Sequence, residues 1–285
     1  FGDKMTKDRT NPVTVPWVAD APQRQDRLVM VTAYDFNQAR LVDEGGADII
    51  LVGDSLAMVV LGHEDTLSVT MDEMLHHVRA VRRGTDRALL VADMPYGSFH
   101  HGTDQAVANA VRFVKEAGAQ AVKIEGARPD VVGALVAAEI PVMAHLGLTP
   151  QSIHRFGGFR VQGRGQEARK ALLTAAQELE GAGAFALVLE CVPADLAADV
   201  TSNSMIPTIG IGAGPACNGQ VLVLHDLLGL EDRVAPKFVR RYAELGEQTR
   251  EAVSRFGADV RSGEYPHLDE SYDDPTAERI RKIYG

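Results

Sequence analysis

The sequence contains few cysteines and no long apolar run. Cys191 and Cys217 are the only two cysteines in 285 residues, too few for the disulfide framework that holds small secreted domains together. No run of about 18 apolar residues suggests a membrane span, and the start has no signal-peptide pattern. We therefore expect a protein of the reducing cytoplasm that makes no contact with a membrane.

Positive charge is also scarce. The chain has 29 Lys and Arg residues against 39 Asp and Glu residues, a formal net charge of −10. Proteins that bind nucleic acids collect Lys and Arg on one face, and no such cluster is present. The 9 histidines are scattered, and none forms a zinc-type pattern with the cysteines. Nucleic acid and zinc are therefore not expected as ligands.

Short apolar runs alternate with amphipathic stretches along most of the chain. The runs that predict strands are Leu28–Ala33, Ala47–Val52, Ala88–Ala92, Ala121–Ile124, Pro141–His145, Phe185–Leu189, Pro207–Ile211 and Val221–Leu224. The stretches that predict helices are Phe36–Glu44, Met71–Arg83, Asp104–Glu116, Pro129–Ala138, Gln166–Leu179 and Ala194–Val200. Strands that alternate with helices form parallel crossovers, and eight such strands predict a closed α/β barrel. Only between Ile211 and Val221 is there no room for more than a short helical turn.

No interdomain linker is visible, so we expect a single domain over residues 1–285. The barrel should occupy residues 27–235. Residues 1–20 are polar and predict an N-terminal arm, and residues 236–285 predict a long helix (Phe238–Phe256) followed by a polar tail.

Several ionisable residues follow the carboxyl ends of the predicted strands, where barrel enzymes carry their catalytic groups. Asp54 and Asp93 end neighbouring strands, so their carboxylates are expected to meet and to repel each other unless a proton or a cation lies between them. With Glu125 they form an all-oxygen set that suits a hard ion such as Mg²⁺.

Each of these residues also has a structural interpretation. An Asp after a strand can cap the next helix. Glu125 can pair with Lys123, since residues two apart on a strand point to the same side. His145 can be a hydrogen-bonded histidine of the core.

Glu190 is the strongest single candidate for a catalytic group. It ends the apolar run "FALVLE", so its carboxylate should be partly desolvated, which raises a carboxylate pKa and makes it a better base near neutrality. A capping or ion-paired role is the alternative. Cys191 alternates to the other side of the strand and is interpreted as a packing residue.

The motifs resemble those of the ketopantoate hydroxymethyltransferase family over about residues 27–266. They are "TAYD" (32–35), "LVGDSL" (51–56), "VADMPYGS" (91–98), "VKIEG" (122–126), "AHLGLTPQS" (144–152), "GGFRVQGRG" (157–165), "LVLECVP" (187–193) and "IGIGAG" (209–214). The resemblance implies a (βα)₈ barrel of the phosphoenolpyruvate/pyruvate type. It also implies transfer of a hydroxymethyl unit from 5,10-methylenetetrahydrofolate to 3-methyl-2-oxobutanoate, with Mg²⁺, by a homo-oligomer that is a decamer in bacteria.

The same resemblance implies roles for individual residues. Asp54, Asp93 and Glu125 would hold Mg²⁺, and the 2-oxo acid would chelate this ion. Asp54, Ser55, Asp93 and Lys123 would hold the 2-oxo acid, with His145 close by. Glu190 would be the base that removes the C3 proton.

The sequence departs from the family pattern in two places. Asn218 stands where the family usually has Asp, and His154 and Arg155 stand at positions that are usually more neutral.

Two other functions would share this pattern. A lyase of the isocitrate-lyase kind would use the same metal site, but it needs a reactive group such as Cys on a mobile loop, and none is found at the rim. A non-catalytic sensor of 2-oxo acids would bind the ligand without needing a base at Glu190.

Overall fold

The computed structural model describes residues 11–231 and 236–272. Eight parallel strands close into a barrel in chain order, with β1 paired to β8. The strands are β1 Leu28–Thr32, β2 Ile49–Val52, β3 Leu89–Asp93, β4 Ala121–Glu125, β5 Val142–Gly147, β6 Ala186–Glu190, β7 Thr208–Ile211 and β8 Gly219–Leu222. The predicted closed α/β barrel is therefore confirmed.

Helices cover the outside of the barrel and its two ends. In the described residues they are α1 Val15–Ala19, α2 Ala21–Arg24, α3 Phe36–Glu44, α4 Leu56–Val59, α5 Met71–Arg83, α6 Thr103–Ala117, α7 Pro129–Ala137, α8 Ile153–Phe156, α9 Gln166–Gly181, α10 Ala194–Ser202, α11 Leu224–Leu227 and α12 Leu245–Ser262. The predictions for α3 and α5 match residue for residue. The connection from β7 to β8 carries no helix, as its short length requires.

The alternation of side chains along each strand separates two apolar layers. In β4, Val122 and Ile124 pack outward with the helices, whereas Ala121 packs inside the barrel. Lys123 and Glu125 share the inward side with Ala121, so the strand carries both charged groups into the barrel mouth.

The eighth strand begins two residues earlier than predicted, at Gly219. A glycine contributes nothing to an apolar run, so the sequence pattern missed it. The structure needs it, because a Cβ atom at Gly219 would lie 2.7 Å from the carbonyl oxygen of Leu28 on β1.

The long C-terminal helix was predicted over Phe238–Phe256, and this prediction is wrong at both ends. Helix α12 covers Leu245–Ser262. The backbone N–H groups of Tyr242 and Leu245 donate to the carbonyl oxygens of Leu227 and Leu228, at 2.8 and 2.9 Å. These bonds to the end of α11 replace those that would have continued α12 toward its N-terminus.

The predicted N-terminal arm falls partly on residues 1–10, which lie outside the described residues, as do positions 232–235 and 273–285. The rest of the segment packs against the barrel. Val13 and Val18 are buried together with the inward side chains of the strands, and the N–H of Val13 donates to the carbonyl oxygen of Arg87 before β3. This part of the predicted arm therefore closes the N-terminal end of the barrel.

Candidate active site

The predicted site residues meet at the carboxyl ends of β2 to β6. Asp54 follows β2, Asp93 ends β3, and the register places Asp93 beside Lys123 and Glu125 beside His145. Asp54, Asp93, Lys123, Glu125 and His145 are all buried. Five strands thus deliver their ionisable groups to one end of the barrel, where barrel enzymes place their chemistry.

Lys123 is the positive centre of this group. Its Nζ lies 2.8 Å from Oδ1 of Asp93 and 3.7 Å from Oε1 of Glu125. Burial opposes the charge of Lys123, but the carboxylates of Asp93, Glu125 and Asp54 hold its pKa above the usual range. The ion pair between Lys123 and Glu125 is therefore present, but the nearest partner of Lys123 is Asp93.

The three carboxylates differ in how they are stabilised. Burial and the charges of Asp93 and Glu125 raise the pKa of Asp54 well above its usual range. Burial also raises the pKa of Asp93, against the opposing effect of Lys123. Burial would do the same to Glu125, but a hydrogen bond from His145 and the charge of Lys123 lower its pKa instead. Only one lysine compensates three buried carboxylates, so the site favours added positive charge.

The helix-capping alternative does not hold for Asp54 or Asp93. Ser55 is the N-cap residue of α4, and no side chain caps that helix. The N–H of Asp54 donates to Oδ2 of Asp93 at 3.2 Å, which ties the two strand ends together. Asp35, by contrast, caps α3 by accepting from the N–H of Gln38 at 2.8 Å.

His145 lies between Glu190 and the acidic group, which consists of Asp54, Asp93 and Glu125. Its Nδ1 lies 3.4 Å from Oε1 of Glu125, and its Nε2 lies 3.4 Å from Oε2 of Glu190. Burial and the charge of Lys123 would lower the pKa of His145, but hydrogen bonding to Glu125 and Glu190 raises it to about 9. His145 is therefore positively charged at neutral pH and is not an ordinary core histidine.

Glu190 ends β6 with its side chain 17% exposed, so the predicted partial desolvation is confirmed. Cys191 follows with a φ of 47°, which is rare for a residue with a side chain. Burial and the neighbouring Glu190 charge raise the pKa of Cys191 to about 11. Its thiol is therefore protonated at neutral pH, which agrees with the packing role and argues against a nucleophile.

Ser55 and two residues without a predicted role complete the site. Oγ of Ser55 lies 2.9 Å from the hydroxyl oxygen of the buried Tyr34. Gln151 donates from Nε2 to Oδ2 of Asp54 at 2.9 Å. Tyr34 was visible in the sequence as a residue at a strand end. Gln151 lies in the loop after β5, and its place in the motif "AHLGLTPQS" was the only available signal.

Of the residues that depart from the family pattern, Asn218 lies away from this cluster, whereas Arg155 lines the same cavity as Glu125 and Gln151. Asn218 precedes β8 at the opposite end of the barrel, where its Oδ1 accepts from the N–H of Thr208 at 3.0 Å. An amide oxygen makes that bond as well as a carboxylate oxygen does. His154 and Arg155 are exposed on α8.

Two glycines of "IGIGAG" (209–214) leave room for neighbouring side chains of the same chain. A Cβ atom at Gly212 would lie 2.6 Å from the ring of Phe238, and one at Gly214 would lie 2.5 Å from Cβ of Ala194.

Within residues 11–231 and 236–272, no group of three or more His, Cys, Asp and Glu side chains is arranged to hold a metal ion. Asp93 and Glu125 are engaged by Lys123, and Asp54 by Gln151. The metal set Asp54, Asp93 and Glu125 therefore stays a prediction.

Comparison with known proteins identifies the family. A sequence model described as ketopantoate hydroxymethyltransferase matches residues 12–268. The chain belongs to the ketopantoate hydroxymethyltransferase family. A 3-methyl-2-oxobutanoate hydroxymethyltransferase of Oleidesulfovibrio alaskensis is 56% identical over 263 residues, 92% of this chain and 91% of the relative. One of Pelobacter propionicus is 52% identical over 267 residues, 93% of this chain and 99% of the relative.

The predicted family and enzyme class are thus confirmed. The protein has ketopantoate hydroxymethyltransferase activity, which belongs to pantothenate biosynthesis.

Solved structures of low sequence identity share the fold of this hydroxymethyltransferase. The 2,3-dimethylmalate lyase, a member of the PEP mutase/isocitrate lyase superfamily, superposes with a TM-score of 0.57 at 15% identity, over 95% of this chain and 99% of that one. The phosphoenolpyruvate phosphomutase of Streptomyces platensis gives a TM-score of 0.56 at 15% identity, over 93% and 96% of the two chains. The predicted (βα)₈ barrel fold is therefore shared with these structures.

One further observation concerns membranes. None of the helices in the described ranges combines the length and the apolar character needed to cross a bilayer.

Proposed function

We propose that this hydroxymethyltransferase uses Glu190 to remove the C3 proton of 3-methyl-2-oxobutanoate and adds a one-carbon unit from 5,10-methylenetetrahydrofolate to that carbon. The observation that carries the proposal is the position of the Glu190 carboxylate. It is mostly withdrawn from water and lies beside a buried group of charges centred on Lys123. A base next to fixed positive charge is suited to forming a carbanion α to a carbonyl.

The substrate is held by the residues around Lys123. The ammonium group of Lys123 neutralises the substrate carboxylate, and the hydroxyl of Ser55 donates a hydrogen bond to it. Tyr34, 2.9 Å from Ser55, fixes the rotamer of that hydroxyl. Asp54 and Asp93 border the same space and orient the acid from the other side.

Glu190 accepts the proton on one carboxylate oxygen. Nε2 of His145 lies 3.4 Å from Oε2, and the charge of this imidazole favours that position of the oxygen. The other oxygen, Oε1, is then directed to C3. We expect this placement of the base to contribute more to the rate of proton removal than the intrinsic basicity of Glu190 does.

We propose that Asp54, Asp93 and Glu125 hold Mg²⁺, because the chemistry of their side chains suits a hard divalent cation. They supply only carboxylate oxygens, they are buried, and burial together with the charges of Asp93 and Glu125 raises the pKa of Asp54. When bound, the cation would stabilise the negative charge that develops on the keto oxygen as the C3 proton leaves.

The test of this function is exchange of the C3 hydrogen of 3-methyl-2-oxobutanoate in D₂O, followed by proton NMR. We expect exchange that depends on Mg²⁺, and ketopantoate formation only when the folate is added. A protein that binds the acid without any exchange would be a sensor, and exchange without folate-dependent product would indicate a different electrophile.

The metal assignment has its own test. In the double variant Asp54→Ala, Asp93→Ala, Mg²⁺-dependent binding of the oxo acid should be lost in calorimetry. Unchanged binding would show that the cation lies elsewhere.

We also propose that the protein is a homo-oligomer, a decamer by the family resemblance. Helix α12 buries none of its residues against the described part of the chain. Val253, Phe256 and Val260 lie along one side of it and are exposed, the spacing of an apolar helix face. A second copy of the chain would cover this face, and the molar mass in analytical ultracentrifugation tests it.

The proposed location is the cytoplasm. Cys191 and Cys217 are both free thiols, as expected in a reducing compartment. Fractionation of cells with an antibody to the protein would test this.

A further inference from the structure

Gln151 reaches Asp54 from the loop that follows β5. It lies in the single turn Pro150–Ser152 that follows β5. Its side chain is buried, at 5% exposure. The contact with Asp54 joins residues 97 positions apart in sequence.

All donors of Gln151 point to the acidic group and its surroundings. The backbone N–H donates to Oε2 of Glu125 at 3.0 Å. The side-chain Nε2 donates to Oδ2 of Asp54 at 2.9 Å and to the carbonyl oxygen of Met94 at 3.0 Å. One residue thereby links Asp54, Glu125 and the residue that follows Asp93.

The orientation of the amide follows from its neighbours. Both atoms next to Nε2 are acceptors, so exchanging N and O would place three acceptors together. The remaining terminal atom of the side-chain amide is therefore Oε1. It is buried and has no hydrogen-bond partner within the described chain. A buried unpaired carbonyl is unfavourable, and a methionine of similar size would avoid it. Packing alone therefore does not explain why this residue is a glutamine. The two hydrogens of its amide do explain it, because they are donated to Asp54 and Met94.

We propose that Gln151 is the positioning residue of the proposed metal site, fixing the spacing between the carboxylates of Asp54 and Glu125 before a divalent cation binds. This rests on the proposed function, because it takes those two carboxylates as cation ligands. Residues that orient metal ligands by hydrogen bonds commonly change metal affinity by about 10- to 100-fold when replaced.

The test measures the Kd of Mn²⁺ alone by calorimetry, on wild type and on Gln151→Met. Methionine keeps the volume and the backbone N–H but removes both amide hydrogens. We expect the Kd to rise about 10- to 100-fold. The thermal midpoint without metal should change little, because removal of the unpaired carbonyl offsets the loss of the donor to Asp54 and Met94. If Gln151→Met does not fold, Gln151→Asn takes its place, since the shorter side chain cannot reach Asp54.

Gln120→Met is the matched control. Gln120 precedes β4 at the opposite end of the barrel, where its Oε1 accepts from the N–H of Leu90 at 3.0 Å, and its replacement should leave the Kd unchanged. Equal Kd values for wild type and Gln151→Met would overturn the positioning role alone. No Mn²⁺ binding by wild type would contradict the proposed metal site and this inference with it.

Discussion

Replacing Glu190 by glutamine tests the proposed base directly. The substitution keeps the shape of the side chain and removes its ability to accept a proton. Glu190 lies at the end of β6 with its side chain 17% exposed, so the variant should fold and should still bind the oxo acid.

The size of the effect follows from the neighbouring groups. A positioned general base contributes about 10²- to 10⁴-fold, which corresponds to about 2.7 to 5.4 kcal/mol of activation free energy. The neighbouring group is His145, whose pKa is raised to about 9 by its contacts with Glu125 and Glu190, so it is protonated at pH 7. Asp93 and Glu125 are paired with Lys123. Asp54 accepts a hydrogen bond from Gln151. Because these groups are already engaged, we expect a loss in the upper part of that range.

The assay is deuterium exchange at C3 of 3-methyl-2-oxobutanoate, with binding of the acid measured separately by calorimetry. Glu178→Gln, on the exposed side of α9, is the control for the loss of one carboxylate and should exchange at the wild-type rate. Exchange by Glu190→Gln within a few-fold of wild type would remove Glu190 as the base.

Three further substitutions test the structure around the site, each by the free energy of unfolding in urea. Gly147→Ala should lower stability by several kcal/mol, because Gly147 has a φ of 98° and a Cβ atom there would lie 2.2 Å from the carbonyl oxygen of Glu190. Lys123→Met should cost about 3 to 5 kcal/mol, because it leaves buried carboxylates without their cation. Thr70→Ala should cost about 1 kcal/mol through loss of the capping box with Glu73. The pKa of Glu73 is lowered by its hydrogen bonds to Thr70, so its contribution is present above the unfolded pKa and disappears as the pH falls through the lower folded value.

The glycine and lysine variants each have a matched control in the chain, and Thr70→Ala is tested by its pH dependence. Gly133→Ala lies in the interior of α7, where a Cβ atom would have no neighbour within 4 Å, and should be neutral or slightly stabilising. Arg79→Met removes an exposed ion pair with Glu116 and should cost less than about 1 kcal/mol. If it cost as much as Lys123→Met, burial would not be the reason for the large effect. A Thr70→Ala loss that persisted unchanged at pH 3 would contradict the contribution of Glu73.

The sequence by itself determined the barrel and most of its rim. Alternation along "AVKIE" was enough to place Lys123 and Glu125 on the same side of the strand, because side chains on a strand repeat every two residues. The structure shows that this side faces the inside of the barrel. The positions of Asp54, Asp93, His145 and Glu190 at the ends of predicted strands indicated that they lie on one rim. The carboxyl ends of parallel strands in a barrel all lie at the same mouth.

Only the tertiary structure decided which of these groups contact one another and which other residues join them. Gln151 reaches Asp54 across 97 positions of sequence, and His145 lies between Glu125 and Glu190. The start of α12 depends on hydrogen bonds to α11. Periodicity reports the environment of each residue along its own element. Contacts between distant elements, and the pKa values that depend on them, exist only once the barrel has closed.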